Sequence, residues 1–126
     1  MELYVAISLI AKTTLLGSIY MKQIIAFIHH VRSADVIEAL RDAGYKNISL
    51  LDIKGTLKPL GEQELVYSSE AGVVISEVQL SLVWEDNQVE EVTSIIRKTG
   101  KIGPNISGWV YVTPVEQALP IGGKEN

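Results

Sequence analysis

A few short stretches of this chain hold residue types that could do chemistry. Thr99-Gly100-Lys101-Ile102-Gly103 combines glycines, which let backbone amides come close to an anion, with a lysine that adds positive charge. Taken alone it is a weak signal, because many turns carry glycine. His29-His30 could supply metal ligands, but neighbours in a strand point to opposite faces and do not easily share one ion, so a structural role at a strand end is the plainer reading. Glu85-Asp86 and Glu90-Glu91 read as a helix cap and a solvated face rather than a catalytic carboxylate pair. Trp84 and Trp109 could stack on a base, although large aromatics more often anchor cores and interfaces. No Ser-His-Asp, zinc-type or Walker-type arrangement is present, and no catalytic residue is assigned.

Composition narrows the classes further. The 126 residues suffice for one domain, and 47% hydrophobic with 21% charged residues can bury a core. A net charge of −4 provides no field for phosphate backbones or anionic lipid, so neither nucleic-acid binding nor membrane insertion is expected. Without cysteine there is no disulfide framework or thiolate site, which is compatible with a reducing cytoplasm. The apolar run Leu3 to Ala11 is too short to span a bilayer and follows Glu2 rather than a basic start. Met21 is the natural beginning of the fold, with residues 1–20 as an extension outside it and residues 21–126 as the domain.

The elements that would position these residues follow from periodicity. Ile24-Ile25-Ala26-Phe27-Ile28 reads as a buried strand. Ser33 is suited to accept bonds from the first amides of a helix whose Val36, Leu40 and Ala43 share a stripe, with Gly44 as its left-handed stop. A second strand runs from Asn47 to Lys54, and a long loop from Gly55 to Gly72 follows. Val78, Leu80, Leu82 and Trp84 alternate as one face of a third strand. Asp86 or Asn87 would cap a second helix with Val89, Val92 and Ile96 inward, ended by Gly100. Trp109 to Val112 forms a fourth strand, stopped by Pro114. The order is βαββαβ, an α+β ferredoxin-like sandwich with an antiparallel four-stranded sheet and two helices on one face. Its other face requires cover, and identical subunits are the economical source of it.

A loop of about 18 residues in so small a domain far exceeds the ordinary ~4–6. A long loop between the second and third strands, together with the 99–103 run before the fourth, resembles the PII signalling family. Asp52-Ile53-Lys54-Gly55 is similar to that family's entry into its T-loop, Glu64-Leu65 to a pair within it, and Thr113-Pro114-Val115-Glu116-Gln117-Ala118 to its ending. The resemblance covers Met21 to about Ile121. It implies a homotrimer in which an adenine nucleotide sits in the clefts between subunits, and a T-loop, residues 55–72, that docks on a membrane transporter or metabolic enzyme. Phe27, Ser49 and Val83 would lie near the base, Gly55, Thr56 and Lys58 at the T-loop base, and Gly100, Lys101, Ile102 and Gly103 in the B-loop.

Several positions depart from the family. Pro104-Asn105-Ile106-Ser107-Gly108-Trp109 replaces an Asp-Gly-Lys continuation, Pro120 and Gly122 replace two arginines, and Glu77 replaces a phosphate-facing lysine. Each lost charge-assisted contact is worth on the order of 1.5–3 kcal/mol, so AMP or ADP is favoured over ATP, with bicarbonate as a candidate co-effector. Tyr67 is offset from the family's uridylylated tyrosine, and that modification is not expected. Two other readings are a metal-responsive trimer like the CutA proteins and an oligomeric scaffold without ligand.

Overall fold

The computed structural model describes residues 20–57, 65–68 and 72–123, with side chains described at 20–57 and 74–123. Strand β1 (Met21–His29) leads through a single 3-10 turn (His30–Arg32) into helix α1 (Ser33–Asp42). Strands β2 (Ser49–Gly55), β3 (Leu65–Ser68) and β4 (Gly72–Glu85) follow, then a second 3-10 turn (Asp86–Gln88), helix α2 (Val89–Thr99) and strand β5 (Trp109–Val115). The main sheet runs β2-β4-β1-β5, antiparallel throughout, with β3 added on β4.

The two periods met in the sequence make the core. Even-numbered residues of β1 and β4 (Ile24, Ala26, Ile28, Val78, Leu80, Leu82) meet Val36 and Leu40 of α1 and Val92 and Ile96 of α2 in one buried cluster. Both helices therefore cover the same sheet face, as the ferredoxin-like pattern requires. Helix α1 ends as expected at Gly44, whose φ of +97° suits a residue without Cβ. Gly44 N–H donates to the Arg41 carbonyl at 2.9 Å and Tyr45 N–H to the Leu40 carbonyl at 3.0 Å, closing the last turn in a Schellman motif.

That motif delivers Tyr45 into the core, 2% exposed, edge-on to Trp84 with ring centroids 5.2 Å apart. The Tyr45 hydroxyl donates to Glu91 of α2, and the Trp84 indole to Gln88. Trp84 is thus a packing residue, as its size suggests. Burial first, then the Glu91 carboxylate as hydrogen-bond partner and charge, push the Tyr45 phenol up to about 12. Because the folded state keeps this proton when the unfolded chain has lost it, the stabilisation is complete below pH 10 and disappears between about pH 10 and 12. A loss of about 2–3 kcal/mol over that window is expected, and urea unfolding of Tyr45→Phe should lack that step.

Four local expectations are corrected, and a fifth, Gly100 as the end of α2, holds for a reason of its own. Ser33 is not an acceptor for helix amides: its Oγ donates to the His30 carbonyl at 2.8 Å, and the N-cap is Arg32. Asp86 and Asn87 form a 3-10 turn instead of capping α2, whose N-cap Gln88 makes no side-chain cap bond. Gly100 ends α2 with ordinary right-handed dihedrals (φ −87°), so close packing explains the glycine: a Cβ there would lie 2.9 Å from the Ile96 carbonyl oxygen and 3.3 Å from Ile28. Pro114 does not stop β5, which continues to Val115; β5 is an edge strand, where a missing N–H breaks no ladder. Finally, the segment read as one structureless loop contains β3 and the start of β4.

The placement of β3 shapes the loop end of the sheet. Ile75 of β4 pairs with Gly55 of β2 and also with Leu65 of β3, so β2 and β3 lie on opposite flanks of β4. β3 takes the flank that β1 vacates after His29, whose partner is Glu77.

Candidate functional site

One end of the sheet gathers the residues singled out for chemistry. β2 finishes there at Gly55, β1 finishes at His29, and β5 starts there, with Trp109 opposite Phe27. The segment after Gly55 and the loop between α2 and β5 therefore emerge at the same end, separated by β4 and β1. Three strand spacings, about 14 Å, lie between them across the sheet, and the register offsets Gly55 from the Trp109 row by four residues, about 13 Å, along it.

The B-loop hangs from the C-terminus of α2. Arg32, at the start of α1, reaches across so that Nε and Nη2 both donate to the Thr99 carbonyl at 2.9 and 2.7 Å, while Nη1 lies 3.0 Å from Asp35 Oδ2. A guanidinium at a helix N-terminus is unfavourable for that helix, but here it satisfies the negative end of the other one. Sequence reading missed Arg32; its one signal was a cation at a helix start, where an anion belongs. Within the loop Gly103 takes φ +66°, and the Ile102 N–H donates to Ser107 Oγ at 3.0 Å. Of the assigned B-loop residues, Lys101 and Gly103 are exposed, Ile102 is half-buried, and Gly100 is buried. The Ile102 amide, expected to face an anion, is thus already engaged by Ser107.

Beside this loop lies a cavity of about 550 Å³, floored by Ile28, Ile96 and Val110 and bordered by Arg97, Lys101 and Trp109. Across the sheet end, a smaller one of about 270 Å³ is lined by His30, Asp52, Lys54, Ser76 and Glu77. His30 Nε2 stands 4.0 Å from Asp52 Oδ1, both well exposed, and Lys54 Nζ is 3.4 Å from Ser76 Oγ.

Glu77, read from the sequence as standing in place of a phosphate-facing lysine, is a buried carboxylate. It is 4% exposed, with its carboxylate turned over Gly55 and Oε2 accepting the Leu57 N–H at 2.9 Å. A Cβ on Gly55 would run into that carboxylate, so the glycine is there to admit it. Thr56 lies exposed beside it, and Lys58 falls outside the described residues.

The three residues assigned to the base share the sheet face without helices and occupy successive rows of it. Phe27 is close to the loop end, half-buried on the sheet face without helices and edge-on to Tyr111 at 6.0 Å. Ser49 pairs with Ser81 in the row of Ile25, two residues from Phe27, and Val83 pairs with Gln23 two residues further on. Six residues of strand separate the Ser49 row from the Gly55 row, about 20 Å. Among the described residues no group of three or more His, Cys, Asp or Glu could hold a metal ion, and no helix is long and apolar enough to cross a membrane.

An antiparallel sheet with two helices on one face and a pair of loops converging at one end defines a ferredoxin-like α+β domain. Residues 21–125 match the model of the family described as nitrogen regulatory protein P-II, and the chain belongs to that family. Among its relatives, the nitrogen regulatory protein P-II of Azospirillum brasilense is 35% identical over 105 residues, covering 80% of this chain and 91% of the relative. That of Cereibacter sphaeroides is 36% identical over 106 residues, with the same coverage. A GlnB-like protein of the nitrogen-fixation nifHD region of Methanothermobacter marburgensis is 30% identical over 107 residues, covering 84% and 98%. In three dimensions the chain is similar to Arabidopsis thaliana PII bound to citrate, with a TM-score of 0.59 and 23% identity over 76% of this chain and 78% of that one. The fold expectation and the family resemblance are both borne out. PII proteins are signalling regulators rather than enzymes, and this chain takes that general role.

Proposed function

We propose that the protein is a trimeric regulator that binds an adenine nucleotide, AMP or ADP in preference to ATP, in the clefts between protomers, and signals through residues 55–72 to a transporter or metabolic enzyme. The observation that carries this reading is the placement of the Gly55–Leu57 segment and the Gly100–Gly103 loop at the same end of the sheet, each with a lysine nearby. The preference for fewer phosphates rests on Glu77 at the loop base and on Pro120 and Gly122 where arginines would otherwise stand. The sheet face without helices carries Leu51, Trp109 and Tyr111, each about half exposed in the protomer, and supplies the apolar surface for assembly.

A thermal-shift panel with AMP, ADP, ATP, bicarbonate, 2-oxoglutarate and citrate tests the effector. A nucleotide at a hundred times its Kd adds about 2.7 kcal/mol by mass action, a shift of several degrees for a domain of this size. AMP or ADP should give the largest shift. No shift and no calorimetric heat with any nucleotide, with or without bicarbonate, would leave the ligand-free scaffold in its place.

A further inference from the structure

Burying a carboxylate is costly unless it is hydrogen-bonded, so a glutamate that is 4% exposed at a loop base needs a reason. Three features form that reason here. The Leu57 N–H gives its Oε2 a bond to a charged acceptor. Gly55 leaves out the Cβ that would fill the same space. The fully buried His29 is its cross-strand partner on β1, and opposed residues of an antiparallel pair share a face. The position also matters: Glu77 lies two residues from Ile75, the row at which β2 and β3 flank β4, so it stands where the chain leaves one flank to rejoin on the other.

We infer that Glu77 is the specificity-determining residue of the loop base, an internal carboxylate that occupies the anion-accepting Leu57 amide and limits how much negative charge a ligand can bring there. A phosphate group approaching Leu57 meets an amide already in use and a like charge at its side. It must displace the Glu77 carboxylate, and displacement breaks the bond that holds the loop base to β4. Ligands of low charge leave the clasp closed, whereas polyanions bind weakly and only by opening it. The chemistry admitted is therefore a nucleoside monophosphate, or another ligand whose anionic group stays clear of Leu57. The other charged groups lining the adjacent cavity, His30, Asp52 and Lys54, are engaged at its exposed side with one another or with Ser76. This inference deepens the nucleotide reading and rests on it for the ligand class, while the clasp itself is a property of the chain alone.

Two variants of the full chain separate charge from hydrogen bond. Glu77→Gln removes the charge and keeps an acceptor for Leu57; Glu77→Ala removes both. Inorganic pyrophosphate serves as the polyanionic probe, titrated by calorimetry beside AMP and ATP, and amide hydrogen exchange reports Leu57. Both variants should bind pyrophosphate and ATP on the order of tenfold more tightly than the natural protein, with the affinity ratio of ATP to AMP raised by a similar factor. The Leu57 amide should exchange on the order of tenfold faster in Glu77→Ala and stay protected in Glu77→Gln. Pyrophosphate affinities within about twofold of the natural protein in both variants, or undiminished Leu57 protection in Glu77→Ala, would overturn the inference. If the pyrophosphate and exchange results appear as expected while AMP and ATP bind to none of the three proteins, the clasp stands and the nucleotide reading fails.

Discussion

Replacing Tyr111 with aspartate is expected to separate the proposed trimer into folded monomers. In the protomer Tyr111 is 51% exposed, Trp109 52% and Leu51 56%, and all three lie on the sheet face that neither helix covers. Phe27 and Ile25, half-buried on β1, adjoin Trp109 and Tyr111, with Phe27 edge-on to Tyr111, and Gln79 of β4 stands between Phe27 and Leu51. An assembly that closes over this patch would enclose one aspartate per subunit with no partner charge. Desolvating an unpaired carboxylate costs several kcal/mol, so dissociation should be favoured by about three orders of magnitude or more. The protomer itself loses little, because the side chain is half in water before assembly. Sedimentation velocity at micromolar concentration, with far-UV circular dichroism as the check on folding, should read a trimer for the natural chain and a monomer with unchanged secondary structure for Tyr111→Asp. A natural chain that sediments as a monomer would remove the trimer, and a variant that stays assembled would show that another face makes the contacts.

The second large effect concerns two glycines of the loop before β5, which are glycines for different reasons. At Gly108 a Cβ would run into the carbonyl oxygen of Phe27, a backbone atom held in the β1 ladder that cannot move aside cheaply. Gly108→Ala should therefore cost about 3 kcal/mol or more, through overpacking where β5 first meets β1. At Gly103 an added Cβ would meet nothing within 4 Å, but φ is +66°, a conformation that disfavours side chains. Gly103→Ala should cost only about 1–2 kcal/mol. Urea unfolding of the two variants should give that order. Equal losses, or the larger one at Gly103, would mean that β5 docks by some contact other than the approach of Gly108 to Phe27.

Both substitutions lie beside the cavity bordered by Lys101 and Trp109, and their consequences for ligand binding differ accordingly. Gly108→Ala disturbs the strand start that frames the cavity, whereas Gly103 lies outside its lining. Nucleotide affinity, if the proposed function holds, should follow the position of β5 rather than stability alone.

Apart from β3, the elements of this protein, their order and the family were legible in the sequence because each rests on neighbours a few residues apart. Two-residue alternation marked the core face of β4 from Val78 to Trp84, the stripe of Val36 and Leu40 marked α1, and Gly44 marked a left-handed turn. The Thr99–Gly103 run and the Asp52–Gly55 entry pointed to PII, and the family match over residues 21–125 agrees. Sequence also located the unusual acid, Glu77, but not what it does.

What tertiary structure alone decided are the contacts between residues far apart in the chain. Glu77 accepts the amide of Leu57, 20 residues earlier, and Arg32 holds the carbonyl of Thr99, 67 residues later. The alignment of Phe27, Ser49 and Val83 on one sheet face, the second partner of Ile75, and the tolerance of Pro114 in β5 all depend on which strand lies beside which. Local propensity and side-chain period are written residue by residue, so they can be read in order. The partner of a buried charge, or the flank a strand takes, is fixed only when the whole sheet closes and every buried polar group must find its bond.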